Sequence, residues 1–307
     1  MSNAVFSGYL DLSNIQITGA KEINGLKGLY LRNTSVAGDI RLWSSFPKYV
    51  GAGTERSQLT DPLRDGAVIN GDFDASNSSI SGELTLTNVT VQGNSRLKDT
   101  FVRGDIAFRS AATLLASLDR NPDLQESLER GERPLRARCF GLDLSSARCS
   151  NDVDLTGLDL VQGDNGTGSA HLPASIKGDS LSADGKIQLY ARDERSGVES
   201  WSVVPGAAHF EDSRASQFAL SAHSFRKKHA DREREGVGLA GADFGEMKVI
   251  GVPDDEPGVW CALRRFLHFS AFGAQRELFP VPVDLRDLKV GVWSVGADRR
   301  PRVDEFL

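Results

Sequence analysis

The chain has 307 residues, of which 39% are hydrophobic and 25% are charged, an ordinary composition for a soluble folded protein. Its net charge of −6 argues against a general attraction to nucleic acid or to anionic lipid. Three cysteines are too few for a disulfide framework, no run approaches the ~20 apolar residues of a membrane-spanning helix, and no signal-peptide pattern opens the chain. We therefore expect a cytoplasmic protein with reduced cysteines.

An eleven-residue repeat is the strongest pattern between residues 36 and 108. Each copy opens on Val or Ile, has a glycine two positions later, and places Asp, Glu or Asn directly after that glycine. The copies open at Val36, Ile69, Ile80, Val91 and Val102, at intervals of 33, 11, 11 and 11 residues. A fixed period of this kind is typical of stacked units, each of which buries its apolar face only against its neighbours.

Apolar and polar residues alternate within each unit, which is the period of a β-strand. Leu84 and Leu86 face one way, and the threonines beside them face the other. Residues such as Asn77, Asn88 and Asp99 close the extended pieces, because Asn and Asp tolerate the left-handed backbone of a tight corner. Two units, about 22 residues, then form one coil of a parallel β-solenoid. An antiparallel sandwich is the alternative, but it needs hairpin loops where this sequence has single Gly or Asn positions.

The phase of the repeat predicts which residues lie inside. These are Ile80, Leu84, Leu86, Val91, Leu97, Val102 and Ile106. Gly82 and Gly104 are predicted to be corners at which a Cβ atom has no room. Looser copies extend the repeat at 10–19, 29–38, 142–149, 153–164, 176–189, 238–244 and 283–285. We therefore predict an all-β fold, a parallel β-solenoid that forms a single elongated domain over residues 1–307.

The repeat resembles a family of bacterial β-helix proteins built from strings such as G-x-L-x-L-x-x-x-x-V-x-G-D-L-x-L. This family is similar in style to pentapeptide-repeat proteins and is often labelled as membrane-associated oxidoreductases. Residues 29–42, 69–108 and 142–164, roughly a third of the chain, carry the resemblance. The resemblance implies a right-handed β-helix. No nucleotide fingerprint accompanies it, so we expect no cofactor.

Several stretches interrupt the repeat, and solenoids commonly carry function in such insertions. We place insertions at 43–66, 111–133, 191–236 and 257–278, with a shorter Gly-rich loop at 165–173. Leucines in 111–133 predict one or two short helices broken at Asn121-Pro122. Residues 257–278 predict an amphipathic helix with Trp260, Leu263 and Leu267 on one side.

Acidic residues after the repeat glycines are the first candidate for chemistry. Asp39, Asp72, Glu83 and Asp105 could form a ladder on one face, and glycan-cleaving enzymes need two carboxyl groups within reach of each other. The structural alternative is that Asp after Gly shapes and solvates a corner. Asn94 occupies the same slot, which favours the structural alternative.

The sequence predicts neither a metal site nor a nucleophile. No His pair has H-x-x-x-H spacing and no Cys pair has C-x-x-C spacing. Cys149 occupies the slot of Val36 and Ile80, which indicates a buried hydrophobic role. The run 163–168 is rich in glycine but lacks the Lys-Ser/Thr of a phosphate-binding loop. The histidines are His171, His209, His223, His229 and His268.

Aromatic and basic residues concentrate in the insertions and form the predicted partner-binding set. The set comprises Trp201, Arg226, Lys227, Lys228, Trp260, Phe266 and Phe269. Protein interfaces use aromatic residues and arginine as anchors. The 257–278 helix is predicted either to cap the open end of the solenoid or to dock a partner.

We therefore favour a non-enzymatic binding or scaffold protein with a protein partner and no nucleic acid. One alternative is a β-helix enzyme that acts on a polysaccharide. Another is a peripheral membrane protein that uses residues 259–278, with Arg264 and Arg265 as basic support. The sequence leaves self-association of identical chains open.

Overall fold

The computed structural model describes residues 3–13, 15–17, 28–43, 67–109, 136–161, 175–192, 199–221, 224–225, 236–252 and 283–297. Short strands follow one another around a common axis, and nearly all pair in parallel with strands one coil before and one coil after. The predicted parallel β-solenoid is therefore confirmed, and the antiparallel sandwich is wrong. The helices predicted within 111–133 and 257–278 lie outside the described residues.

Each coil passes in turn through three stacked sheets, which we name sheet I, sheet II and sheet III. Sheet I has eight strands. They are β4 (Gly28–Tyr30), β8 (Asp72–Asp74), β12 (Asn94–Arg96), β16 (Gly141–Asp143), β20 (Ile176–Lys177), β25 (Ala208–His209), β27 (Val237–Gly238) and β29 (Val283–Asp284).

Sheet II has fifteen strands and contributes two segments to most coils, with a bend between them. The first segments are β1 (Val5–Phe6), β5 (Ser35–Val36), β9 (Ser79–Ile80), β13 (Phe101–Val102), β17 (Arg148–Cys149) and β21 (Ser182–Ala183). The second segments are β2 (Leu10–Asp11), β6 (Ile40–Trp43), β10 (Leu84–Thr87), β14 (Ile106–Arg109), β18 (Val153–Asp154) and β22 (Lys186–Gln188). Three strands cover both segments: β26 (Arg214–Ser221), β28 (Asp243–Val252) and β30 (Lys289–Ala297).

Sheet III has five strands, and one antiparallel pair lies beside it. The five are β3 (Gln16–Ile17), β7 (Ala67–Ile69), β11 (Val89–Val91), β15 (Ala137–Cys139) and β19 (Leu158–Leu160). The antiparallel pair is β23 (Tyr190–Arg192) and β24 (Glu199–Trp201). Single bridges at Val203 and Val204 extend sheet III by two further coils. The described residues thus trace nine coils, which we number from the N-terminus by their sheet II strands.

The register confirms that two eleven-residue units make one coil. Leu84 pairs with Ile106, 22 positions later, and Ile40 pairs with Leu84 across the first insertion. Inward-facing residues therefore stack in rows that run the length of the solenoid. All seven residues predicted to lie inside are buried, each with at most 2% of its surface exposed. At roughly 25 cal/mol per Å² of apolar surface, these rows are the main source of stability.

The corner between sheets I and II is a column of residues with left-handed backbone. Asn33, Asn77 and Asp99 have φ angles of 52°, 56° and 55°, and the equivalent residues of the other coils also have positive φ. The backbone N–H of each donates to a carbonyl of the next coil; for Asn77 the acceptor is the carbonyl of Lys98, at 2.9 Å. The corner assignment of Asn77, Asn88 and Asp99 is confirmed. Asn88, however, turns between sheets II and III, with φ 54°.

The bend inside sheet II is lined by glycines that lie against the preceding coil. A Cβ atom on Gly82 would lie 2.8 Å from the carbonyl carbon of Gly38, and one on Gly104 would lie 2.8 Å from the carbonyl oxygen of Gly82. The prediction that these corners have no room for Cβ is confirmed. Gly93, from the alternate repeat units, instead turns between sheets III and I, so the eleven-residue motif marks two different corners.

The bend in sheet II becomes shorter in the last three coils. Three residues separate the inward-facing Ile80 and Leu84, but only two separate Ala215 and Phe218. With one residue fewer, the two segments join into the continuous strands β26, β28 and β30. Large rings fill the core of these coils, where Phe218 stacks on Phe244 with 4.8 Å between ring centroids.

The prediction of a single insertion over residues 191–236 is wrong. This stretch contains β24, β25 and β26, which complete one coil and most of the next. The repeat was missed there because the bend of coil 7 is formed by Ser216 and Gln217, without the glycine and acidic residue of the motif.

We predict that Gly104→Ala lowers the free energy of unfolding by about 1 kcal/mol or more, because its Cβ atom would overlap the backbone of the neighbouring coil. Gly8→Ala is the matched control, since Gly8 occupies the same bend in coil 1 and a Cβ atom there meets nothing within 4 Å. Urea denaturation monitored by circular dichroism measures both. Equal effects of the two substitutions would contradict the steric explanation.

Candidate functional site

Insertions leave the solenoid along the margin between sheets II and III, which we call margin A. In coil 2 the chain departs after Trp43 and returns at Ala67, and in coil 4 it departs after Arg109 and returns at Arg136. Coil 6 carries the β23–β24 hairpin at the same place, and coil 8 departs after Val252. In coil 3 this margin is crossed by the single residue Asn88. In coil 5 the register places Gly157 at the same position. Margin A therefore carries insertions on alternate coils.

A second set of insertions leaves along the opposite edge of sheet III, which we call margin B, where the chain passes to sheet I. The chain departs after Ile17 in coil 1, after Val161 in coil 5 and after Phe225 in coil 7. Coils 2 and 3 cross this margin through the dipeptides Asn70-Gly71 and Gln92-Gly93. Coils 1, 5 and 7, which have an insertion at margin B, have none at margin A, and coil 3 has none at either margin.

The spacing of the coils explains this alternation. Adjacent parallel strands lie about 4.8 Å apart, whereas a helix is about 10 Å across and a pair of strands needs a similar width. Two insertions on adjacent coils would compete for the same space at one margin. Alternation gives each about two coil spacings, which is enough for a helix or a hairpin.

The outer face of sheet III lies between the two margins. Its central row runs through Val68, Thr90, Arg138, Asp159 and Val203, all of which are half-buried. The Arg138 guanidinium lies 3.5 Å from the Asp159 carboxylate. This row is a narrow floor of mixed polarity that extends along the solenoid axis.

Trp201 is the one predicted partner-binding residue within the described part of the chain. It ends the β23–β24 hairpin at margin A, where it pairs with Tyr190 and is half-buried. Arg136 donates from Nη1 to the Trp201 carbonyl oxygen at 2.6 Å. This bond links the insertion sites of coils 4 and 6 across coil 5. Arg136 was not singled out from the sequence, and only its place beside the predicted 111–133 insertion could have suggested it.

The other predicted partner-binding residues lie outside the described residues. They are Arg226, Lys227, Lys228, Trp260, Phe266 and Phe269. Residues 226–228 follow a departure at margin B, and residues 260–269 follow a departure at margin A. Chain connectivity therefore associates the whole predicted set with the two edges of sheet III.

Asp39 and Asp105, which follow repeat glycines, and Asp152 at the same bend of coil 5 bind the backbone of the next coil. The Asp39 Oδ1 atom accepts from the Glu83 N–H at 2.9 Å, and the Asp152 Oδ1 atom accepts from the Lys186 N–H at 2.7 Å. Asp105 likewise accepts from the Asp152 N–H at 3.2 Å and also pairs with Arg109. These carboxylates stabilise the bend and accept hydrogen bonds from backbone N–H groups of the coil beside it.

Asp72 does not belong to the same row as Asp39, Glu83 and Asp105. It lies on sheet I, where its Oδ1 atom accepts from the Asn94 N–H at 2.8 Å and its Oδ2 atom lies 2.9 Å from Arg96 Nη1. The four predicted acidic residues therefore occupy two sides of the coil. Asp39, Asp72 and Asp105 each accept a hydrogen bond from the next coil, which agrees with a structural role at the corners.

The two described cysteines are core residues. Cys149 stacks in the row of Ile80 and Val102, and Cys139 stacks in the row of Ile69 and Val91. Burial raises the pKa of the Cys139 thiol to about 12 and that of the Cys149 thiol to about 11. A thiol with so high a pKa is almost entirely protonated near neutral pH and is a poor nucleophile.

Metal-binding chemistry receives no support from the described residues. No group of three or more His, Cys, Asp and Glu side chains among them is placed to hold a metal ion. His209 lies on sheet I with its Nδ1 atom 3.8 Å from the Glu211 carboxylate. The other four histidines and the 163–168 loop lie outside the described residues.

Comparisons with family models, curated proteins and solved structures find no match to this chain. Its resemblance to bacterial β-helix repeat proteins stays a prediction. Within the described ranges, no helix is long and apolar enough to cross a membrane.

We predict that Asp72→Ala destabilises the protein by about 1 kcal/mol or more, because the buried Asn94 N–H loses its acceptor. Asp72→Asn keeps an acceptor oxygen and loses only the ion pair with Arg96, so its effect should be smaller. Thermal and urea denaturation measure which of the two variants loses more stability. An equal loss for the two variants would show that the ion pair, which both remove, matters more than the inter-coil bond.

We also predict that Cys139 and Cys149 resist thiol reagents at pH 8 in the folded Cys261→Ser variant and react once urea unfolds it. Their folded-state pKa values lie above the ordinary value of 9.0. The stability that depends on these protonated thiols is therefore complete below pH 9 and is lost as the pH rises from about 9 to about 12. Rapid labelling of the folded variant at pH 8 would contradict the burial of both thiols.

Proposed function

We propose that this chain is a β-solenoid binding or scaffold protein whose insertions contact a protein partner along the two margins of sheet III. The observation that carries the proposal is the placement of the insertions. Within the described coils, every departure from the solenoid occurs at margin A or margin B. Insertions that leave the solenoid at the edges of one sheet begin on the same side of it, so a single partner can contact several of them.

The uninterrupted path from sheet I to sheet II supports the same proposal. Four residues separate the last inward residue of sheet I from the first of sheet II in coil after coil, as between Leu31 and Val36 and between Leu285 and Val290. This side has the constant length that stacking requires. Apart from the one-residue change at the sheet II bend, variable length within the described coils, which recognition sites on scaffold proteins commonly show, is found on the sheet III side.

The roles of the repeat carboxylates also favour binding over catalysis. Each of Asp39, Asp72, Asp105 and Asp152 accepts a backbone hydrogen bond from the adjacent coil. A residue that holds two coils together serves the fold, and its presence needs no reaction to explain it.

The direct test removes one insertion without disturbing the coil. Trp43 and Ala67 are in register with Thr87 and Val89, which flank the one-residue corner at Asn88. Replacing residues 44–66 with a single Asn therefore copies a corner that the protein already uses. We expect the variant to keep the wild-type circular dichroism spectrum and to recover less partner in pull-down experiments.

A photo-crosslinking residue at Thr90 or at Ser79 provides a matched pair. Both positions face outward on coil 3, Thr90 on sheet III and Ser79 on sheet II. We expect the partner to crosslink at Thr90 and not at Ser79. Crosslinking at Ser79 alone would overturn the proposal. Polysaccharide hydrolysis that Asp105→Asn abolishes in a folded protein would also overturn it.

The predicted contribution of residues 257–278 has its own test. Trp260→Ala with Phe266→Ala should reduce partner recovery while the spectrum and melting temperature stay at wild-type values, because aromatic anchors commonly dominate interface energy. Unchanged recovery would remove this segment from the proposed interface.

A further inference from the structure

Unpaired strands close the described solenoid at both ends. In the described part of the chain, β1 and β2 pair only with β5 and β6, and β30 pairs only with β28. The inward rows end there in partly exposed side chains. These are Phe6, Leu10, Leu12, Ile15 and Ile17 in coil 1, and Val283, Leu285, Leu288, Val290 and Trp293 in coil 9. An edge of this kind is a template for pairing with another strand.

Exposed apolar residues concentrate at the same two ends. Five large hydrophobic side chains are exposed among the described residues, and three of them lie in coils 1 and 9. They are Val5, with 81% of its surface exposed, Tyr9 with 70% and Val292 with 59%. The apolar side chains that the solenoid leaves in solvent therefore lie mostly where a further coil would add.

We propose that the chain self-associates head to tail, with β30 of one copy adding in parallel to β1 and β2 of the next. The register follows from the rows inside the chain. One row begins at Phe6 and ends at Val290, and another begins at Leu10 and ends at Trp293. Continuing these rows across the junction places Val290 against Phe6 and Trp293 against Leu10. This proposal is independent of the function proposed for the margins of sheet III.

The outward rows agree with this register. They place Val292 beside Tyr9, which brings two of the most exposed apolar side chains together. Lys289 falls beside Val5 and Ser294 beside Asp11, so no like charges meet in these rows. Within the chain the Ser294 hydroxyl already donates to the Glu246 carboxylate at 2.7 Å, which shows that a carboxylate can be accommodated beside it.

The junction joins a two-residue bend to a three-residue bend, and the chain already contains this mismatch in the reverse order. Coil 6 has three residues between Ala183 and Ile187, and coil 7 has two between Ala215 and Phe218. The strands on both sides of that mismatch remain paired, with Ile187 opposite Phe218. Adjacent coils can therefore keep their strands paired when their bends differ by one residue.

A head-to-tail contact uses two different surfaces, so each added copy leaves the same two surfaces free at its ends. We therefore expect sedimentation velocity of the full chain to give a concentration-dependent series of oligomers. Tyr9→Asp combined with Val292→Asp places two like charges about 4.8 Å apart, which should weaken association about tenfold or more. Tyr9→Lys with Val292→Asp should restore it.

Phe101→Lys is the matched control, because Phe101 is an exposed apolar residue of sheet II in the middle of the solenoid. It should leave association unchanged, and circular dichroism should show all variants folded. Three results would overturn the proposal: a monomeric wild-type chain at about 100 μM, a closed dimer with no larger species, or equal weakening by Phe101→Lys. Absence of partner crosslinking at Thr90 would count against the proposed function but would not change the oligomers seen by sedimentation. The two proposals can therefore fail separately.

Discussion

Parallel stacking of one coil on the next, at about 4.8 Å, is the constraint on which the rest of the structure depends. Each backbone corner must match the corner beside it, because the two share hydrogen bonds. The left-handed residues between sheets I and II meet this requirement with a ladder from one coil to the next. The bend of sheet II requires glycine, because the backbone of the neighbouring coil occupies the space that a Cβ atom would fill.

Because of this constraint, the path from sheet I through sheet II has a nearly constant length, whereas the margins of sheet III vary in length. From sheet I through sheet II, a coil that gained a residue would shift every inward side chain to the wrong face. Within the described coils, the change of length on this path is at the bend of coils 7 to 9, where it is accompanied by joined strands and by the aromatic pair Phe218 and Phe244. At the margins of sheet III the chain can leave and return to the same register, so insertions collect there. Their alternation between the two margins follows from the width that each one needs.

The acidic residues of the repeat show that one sequence pattern is compatible with two interpretations, one catalytic and one structural. An acidic residue after each glycine suggests a catalytic ladder when only the sequence is considered. In the structure, Asp39 and Asp152 accept from the backbone of the next coil, and Asp72 does so on a different side of the coil. Hydrogen bonds between coils join residues that are 20 or more positions apart, and their partners depend on which insertions intervene. The repeat alone could not distinguish these roles.

The sequence by itself determined the parallel β-solenoid, the 22-residue coil, the buried rows and the corners at Asn77, Gly82 and Gly104. These features depend on local alternation and on residues with special backbone freedom, which a period makes visible. Only the tertiary structure decided which corner each motif occupies, that residues 191–236 contain coils, and that Trp201 and Arg136 meet across coil 5. Those features depend on the register between coils, and insertions of different length hide that register from the linear sequence.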